Sequence, residues 1–183
     1  DLHSFPTRRS SDLRLVDEDC EDEVVALLRA VREERARAAS ASFEAFDAEQ
    51  NALVAKNAEA YYRAMVRGGG SAWNQRDAHM AETLHRLLRL HGPGAKAIVW
   101  AHNTHVGDAR YTDMARGGLW NIGQLAREAF GDEEVVLVGF GSHRGTVIAA
   151  DAWEAPMERM PLPPALVGSW EDVLHRALDG DGM

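Results

Sequence analysis

The sequence predicts an α/β domain in which long helices precede and cover a small, mostly parallel sheet. Three observations lead there. Between Asp17 and His91, apolar residues recur at spacings of three and four, the period of one helix face. Beyond Ala95 two short continuous apolar runs appear, Ala97 to Ala101 and Val135 to Phe140, as expected of strands buried on both faces. A helical pattern lies between those runs, and a strand, a helix and a strand in that order favour a right-handed parallel crossover.

Taken in order, Asp1 to Leu13 reads DLHSFPTRRSSDL, with neither period and a composition unlike the alanine-rich remainder. The string matches the in-frame translation of a common sequencing-adapter oligonucleotide. It is read as a disordered artefact, and 14–183 as the protein proper. The acidic run Asp17 to Glu23 precedes a first helix with Val24, Val25, Leu27, Leu28 and Val31 inward, and acids suit a helix N-terminus. A second helix is expected from Asp47 to Val66, burying Val54, Ala58, Tyr61, Tyr62 and Met65 and ending at Gly68 to Gly70. Asn74, three before Asp77, has the spacing of a cap for a third helix whose inner face is Met80, Leu84, Leu87 and Leu88. His91-Gly92-Pro93-Gly94 stops it. After the first apolar run, Ile122, Leu125, Ala126 and Phe130 mark a further helix closed by Gly131. Thr146 to Ala150 reads as another strand and Trp153 to Gly168 as irregular. Ser169 with Asp172 opens a terminal helix holding Trp170, Val173 and Leu174.

Composition narrows the function classes. At 183 residues the chain is sized for one globular core, and 45% hydrophobic with 27% charged residues is an ordinary soluble balance. A net charge of −9 argues against a phosphate-neutralising surface and hence against nucleic-acid partners. Cys20 stands alone, so no intramolecular disulfide and no cysteine-based zinc site can form. No apolar run is long enough to cross a bilayer and no signal peptide is visible, which points away from a membrane and to the cytoplasm.

The chemistry concentrates at His102-Asn103-Thr104-His105, directly after the first apolar run, where open α/β sheets place their ligand crevices. Two imidazoles with an adjacent amide can bind, orient and polarise a substrate, provided the chain turns near Asn103 so that both converge. Incidental polar packing accounts for the spacing equally well. Zinc ligation by His102 and His105 with Asp108 or Asp113 is a weaker reading, because a metalloprotease-type helix has its histidines four apart around a glutamate. His79, His85 and His175 read as surface residues, and His91 as a favoured cation at a helix end. Arg76 and Asp77 read most simply as a cap and a local ion pair; the alternative directs Arg76 at a substrate oxygen or a catalytic carboxylate. Gly139 to Gly145 has neither dinucleotide-loop spacing nor a G-x-S-x-G elbow at Ser142.

Four blocks together, YYRAM (61–65), WNQRDAHMAETL (73–84), WAHNTHVGDAR (100–110) and NIGQLAREAFG (121–131), continued by VLVGFGSHRGTV, resemble the erythromycin esterase family. The resemblance runs in order from about Asp17 to Leu174 and implies the C-terminal part of a metal-independent hydrolase that opens an ester or macrolide lactone, inactivating an antibiotic, without a cofactor. It places His102 and His105 in the catalytic site, orienting water and substrate or stabilising the ester oxygen. Arg76, Asp77 and Asn103 follow as substrate-binding or supporting residues. The family's general-base histidine and partner glutamate belong to a G-E-x-x-H-G segment, which this sequence does not contain. The expectation is therefore a truncated chain, inactive alone, whose intact parent takes a small ester or lactone. The alternatives are a binding or accessory domain of the same fold, and a metal-dependent hydrolase.

Overall fold

The structure, a computed structural model, describes residues 19–37, 42–67, 71–152 and 155–178. The adapter reading of 1–13 and the glycine break at 68–70 lie outside them. The chain divides into two compact units, one up to Val138 and one from Gly139.

Unit one begins with α1 (Glu21–Arg37), whose first turn carries Glu21, Asp22 and Glu23, as the macrodipole favours. Its inward side is Leu28, packed with Ala52 and Leu53 of α2 (Phe43–Arg67) and lined by Val31, while Leu27 is exposed. The Ser42 hydroxyl accepts the Ala45 N–H at 3.1 Å and starts α2 four residues before the expected Asp47. The expected buried stripe is also corrected: Val54, Tyr62 and Met65 are exposed, and the enclosed face is Phe46, Glu49 and Leu53. The physical reason is Glu49. Its carboxylate accepts from Arg32 Nε at 2.9 Å, from Arg35, and from Arg86 Nη1 of the next helix at 3.5 Å, so a hydrophobic count places an inward acid outside. Burial pushes this carboxyl up, but Arg32 and Arg35 outweigh it and hold the group below its ordinary range.

Helix α3 (Ser71–His91) starts three residues earlier than its apolar pattern implied, which puts Asn74 inside the helix instead of at its cap. Ala81 is buried and Leu87 exposed. Gly92, at φ +83°, donates to Leu88 O at 3.0 Å and closes the helix where the glycines predicted. His79 and His85 are not the surface residues expected. His79 Nδ1 lies 2.7 Å from Asn57 Nδ2, and burial, opposed by Glu82, pushes its imidazole below its ordinary value. The His85 ring stacks on Phe130 at 4.5 Å.

The sheet is the main correction. Residues 97–101 and 135–140 form neither helix nor strand and enter no ladder among the described residues, and Ile98 and Val136 are 95% and 86% exposed. An apolar run becomes a buried strand only if a neighbouring strand takes its N–H and C=O groups, a condition no period in the sequence reports. What pairs instead lies in unit two. Here β1 (Gly145–Ala149) runs antiparallel to β2 (Glu158–Leu162), in register from Gly145 opposite Leu162 to Ala149 opposite Glu158. The sheet is therefore small and antiparallel, not mostly parallel. The strand expected at 146–150 is present, shifted by one, whereas β2 falls in the stretch read as irregular because of its prolines. Pro161 is tolerated because each strand of a two-stranded sheet is an edge.

Helix α6 (Trp170–Ala177) is capped by the Ser169 hydroxyl, which accepts the Asp172 N–H at 3.4 Å as predicted, but Trp170 and Leu174 are exposed. The Gly168 N–H at 2.7 Å, and Arg176 and His143 beside it, hold the Asp172 carboxyl below the usual carboxylate range against some burial. His175, expected at the surface, is half-buried and stacks on His143 at 3.9 Å. Among the described residues no helix is long and apolar enough to cross a membrane.

Candidate active site

The site is built where α3 meets the segment after Ala101. The chain turns at His102 into a single helical turn, α4 (Asn103–Val106). His102 is its cap: Nδ1 accepts the Thr104 N–H at 3.2 Å and lies 3.0 Å from the Thr104 hydroxyl, and the side chain is exposed. Asn103 is also exposed, and its carbonyl accepts the Gly107 N–H at 2.9 Å. The turn expected near Asn103 is thus present. The two histidines nevertheless have different partners, His102 its own turn and His105 the helix α3.

His105 is half-buried and meets Asp77, which is 0% exposed. Its Nδ1 lies 2.8 Å from Asp77 Oδ1 and 3.0 Å from Oδ2. Because a carboxylate only accepts, Nδ1 carries the proton and Nε2 is left as the acceptor nitrogen. Arg76 Nη2 lies 3.4 Å from that Nε2, a donor matched to it. Trp73 supplies the remaining wall: its indole is parallel to the imidazole, 1° between planes and 4.7 Å between centroids, and Arg76 Cζ lies 4.7 Å from the same indole. Positions 73, 76 and 77 fall on one side of α3, since residues three and four apart are helix-surface neighbours.

A second layer fixes this group. Asp77 Oδ2 also accepts the Ile122 N–H at 3.2 Å, at the start of α5 (Ile122–Phe130), where a negative charge suits the helix N-terminus. Asn121, 1% exposed, caps α5 by accepting the Gln124 N–H at 3.0 Å and donates to Thr104 O at 2.8 Å, tying α4 to α5. Gly123 makes that approach possible: a Cβ there would sit 2.1 Å from Gly107 O and 2.5 Å from Val106 O. Asn74 clasps the segment before α5, donating to Gly118 O at 2.9 Å and accepting the Trp120 N–H at 3.1 Å, while Trp73 Nε1 donates to Trp120 O at 2.8 Å. Beyond Gly107, Asp108 caps a 3-10 turn (Ala109–Tyr111) and takes a two-pronged bond from Arg110, at 2.9 Å to Nε and 2.7 Å to Nη2. The Arg110 guanidinium, against some burial, holds the Asp108 carboxyl well below its ordinary range.

Of the residues singled out from sequence, the fold joins His105, Asp77 and Arg76 in one network and leaves His102 and Asn103 exposed beside it. The plain reading of Arg76 and Asp77 as a helix cap is overturned, since both lie a full turn inside α3 and Asp77 is enclosed. Trp73, Asn121 and Gly123 have no role in the sequence reading, and Asn74 has only that of a helix cap. Asn121, directly before a helical period, carried a readable capping signal, and Gly123 in a first turn a readable close-approach signal. Among the described residues no group of three or more His, Cys, Asp or Glu side chains is placed to hold a metal ion. No solved structure matches the chain. The sequence model of the family described as erythromycin esterase matches residues 5–183, and with nearly the whole length covered the chain belongs to the erythromycin esterase family.

Proposed function

We propose that the chain carries the histidine-bearing part of a site that opens an ester or macrolide lactone by water attack. The observation that supports this best is the contact of His105 Nδ1 with the enclosed Asp77 carboxylate, at 2.8 Å. A ring held with its proton at Nδ1 turns its Nε2 edge to the substrate, where beside Arg76 it orients water or stabilises charge on the ester oxygen, and the carboxylate behind it holds the ring in place. Arg76 brings guanidinium N–H groups to the same edge, where an ester oxygen gains charge as the tetrahedral intermediate forms. Its Nε–H is enclosed with no hydrogen-bond partner among the described residues, which leaves the guanidinium with donor capacity to spare. His102 and Asn103, exposed next to this edge, are assigned to orienting substrate. The reaction needs neither metal nor cofactor, and its setting is proposed as cytoplasmic, with a small neutral or cationic substrate. Because the 183 residues contain no G-E-x-x-H-G string, we propose that the chain alone binds ester but turns it over slowly, missing roughly a hundredfold to ten-thousandfold of general-base catalysis.

The test follows binding of erythromycin by tryptophan fluorescence and hydrolysis of erythromycin and an activated aryl ester, for the full chain and His105→Ala. The expected result is saturable binding with a residual rate that His105→Ala lowers about a hundredfold. A rate indifferent to His105→Ala overturns the assignment of His105. Rapid hydrolysis by the chain alone overturns the claim that it is slow. Loss of the rate on chelation, restored by zinc or manganese, replaces this reading with a metal-dependent hydrolase.

A further inference from the structure

We infer that Trp73 is a positioning residue of this site: its indole fixes the plane of the His105 imidazole and the direction in which Nε2 points, and it aligns Arg76 on the same face. The inference rests on the reading that His105 is a reacting group. Asp77 restrains His105 at one atom, with both carboxylate oxygens on Nδ1, and a ring held at one atom still swings about that contact. Fixing a plane needs a second restraint across the ring, and the parallel indole at 4.7 Å and 1° is that restraint. The indole cannot itself rotate freely, because its Nε1–H is bound to Trp120 O at 2.8 Å, on a segment that Asn74 clasps in turn. Arg76 Nη2 lies 3.4 Å from His105 Nε2 while its Cζ and the imidazole are each 4.7 Å from the indole. That combination is met only when guanidinium and imidazole share one face of Trp73. One flat side chain therefore sets the relative pose of the His105 imidazole and an oxyanion donor, a geometry in which displacements near 1 Å cost about a hundredfold in rate.

Three full-length variants test this. Trp73→Phe keeps a flat face and loses the Nε1 bond; Trp73→Leu and Trp73→Met keep apolar volume and lose the face. The first readout is 13C relaxation of the His105 ring, which reports how far the ring swings on the picosecond-to-nanosecond timescale. Wild type and Trp73→Phe are expected to show a rigid ring. Whichever of Trp73→Leu and Trp73→Met folds is expected to show a mobile ring, still held to Asp77 at Nδ1. The second readout is residual ester hydrolysis, with kcat expected to fall about tenfold to a hundredfold in the aliphatic variants at little change in KM, and to be restored in Trp73→Phe. A ring equally rigid in a folded aliphatic variant overturns the role of Trp73 and leaves His105 in place. Hydrolysis unaffected by His105→Ala overturns the reading beneath it, whatever the spectra show.

Discussion

In the first unit, Asp77 and Asn121, an acid and an amide, are sealed from solvent, while Ile98 and Val136, at the heart of two apolar runs, stand almost fully in it. The hydrophobic effect alone would order these regions the other way. What separates them is backbone hydrogen bonding. Asp77 and Asn121 complete the open N-terminus of α5 and one carbonyl of α4, so that enclosing them removes unpaired groups instead of creating them. The two apolar runs enter no ladder among the described residues, and a segment outside any ladder gains little from burying its side chains. Polar groups with partners go inside, and segments outside a ladder stay out even when their side chains are apolar.

The largest effect is expected from breaking the polar side of this contrast. Asp77→Ala removes the partner of His105 Nδ1 and of the Ile122 N–H together, inside a sealed space. Losing one member of such a buried pair costs about 3–5 kcal/mol, and denaturant unfolding would measure it as a drop in midpoint at constant slope. A cost under about 1 kcal/mol, the level of an exposed pair, would show that Asp77 is solvated and that the contrast is false.

A smaller effect comes from Asp108, enclosed beside the same loop but bonded to the exposed guanidinium of Arg110. Its folded value is depressed, so its contribution is present above the unfolded value of about 3.9 and is lost as pH falls through the lower folded value. Stability measured from about pH 5 downward should fall more steeply in the wild type than in Asp108→Asn, with a difference near 1 kcal/mol at neutral pH. Equal slopes would mean that the Arg110 bond does not persist in solution.

Helices were legible in the sequence because their signals are local: the stop at Gly92, the closure of α5 at Gly131 and the cap at Ser169 all stand where residue type alone placed them. Inner faces were less legible. Glu49 faces inward only because Arg32, Arg35 and Arg86 converge on it from two other helices, and no period in α2 encodes that. The sheet was least legible, since pairing is a relation between segments and an apolar run describes only one of them. At the site, the turn that carries His105 was readable from its motif and the partner of its ring was not. Asp77 lies 28 positions earlier and resembles a cap residue until α3 is seen to begin at Ser71.

The smallest effect tests the apolar side. Ile98→Thr changes a side chain that is 95% exposed in a segment with no ladder among the described residues, so the replacement of an ethyl group by a hydroxyl should change stability by less than about 0.5 kcal/mol. A buried isoleucine at the same position would behave quite differently, because threonine would leave both a small cavity and an unpaired hydroxyl, together costing about 2 kcal/mol or more. The substitution thus discriminates sharply for so small a change. A near-zero result supports the principle that a segment outside any ladder keeps even isoleucine outside. A cost above about 2 kcal/mol means that 97–101 is covered in solution, and the apolar run then behaves as the buried strand its composition describes.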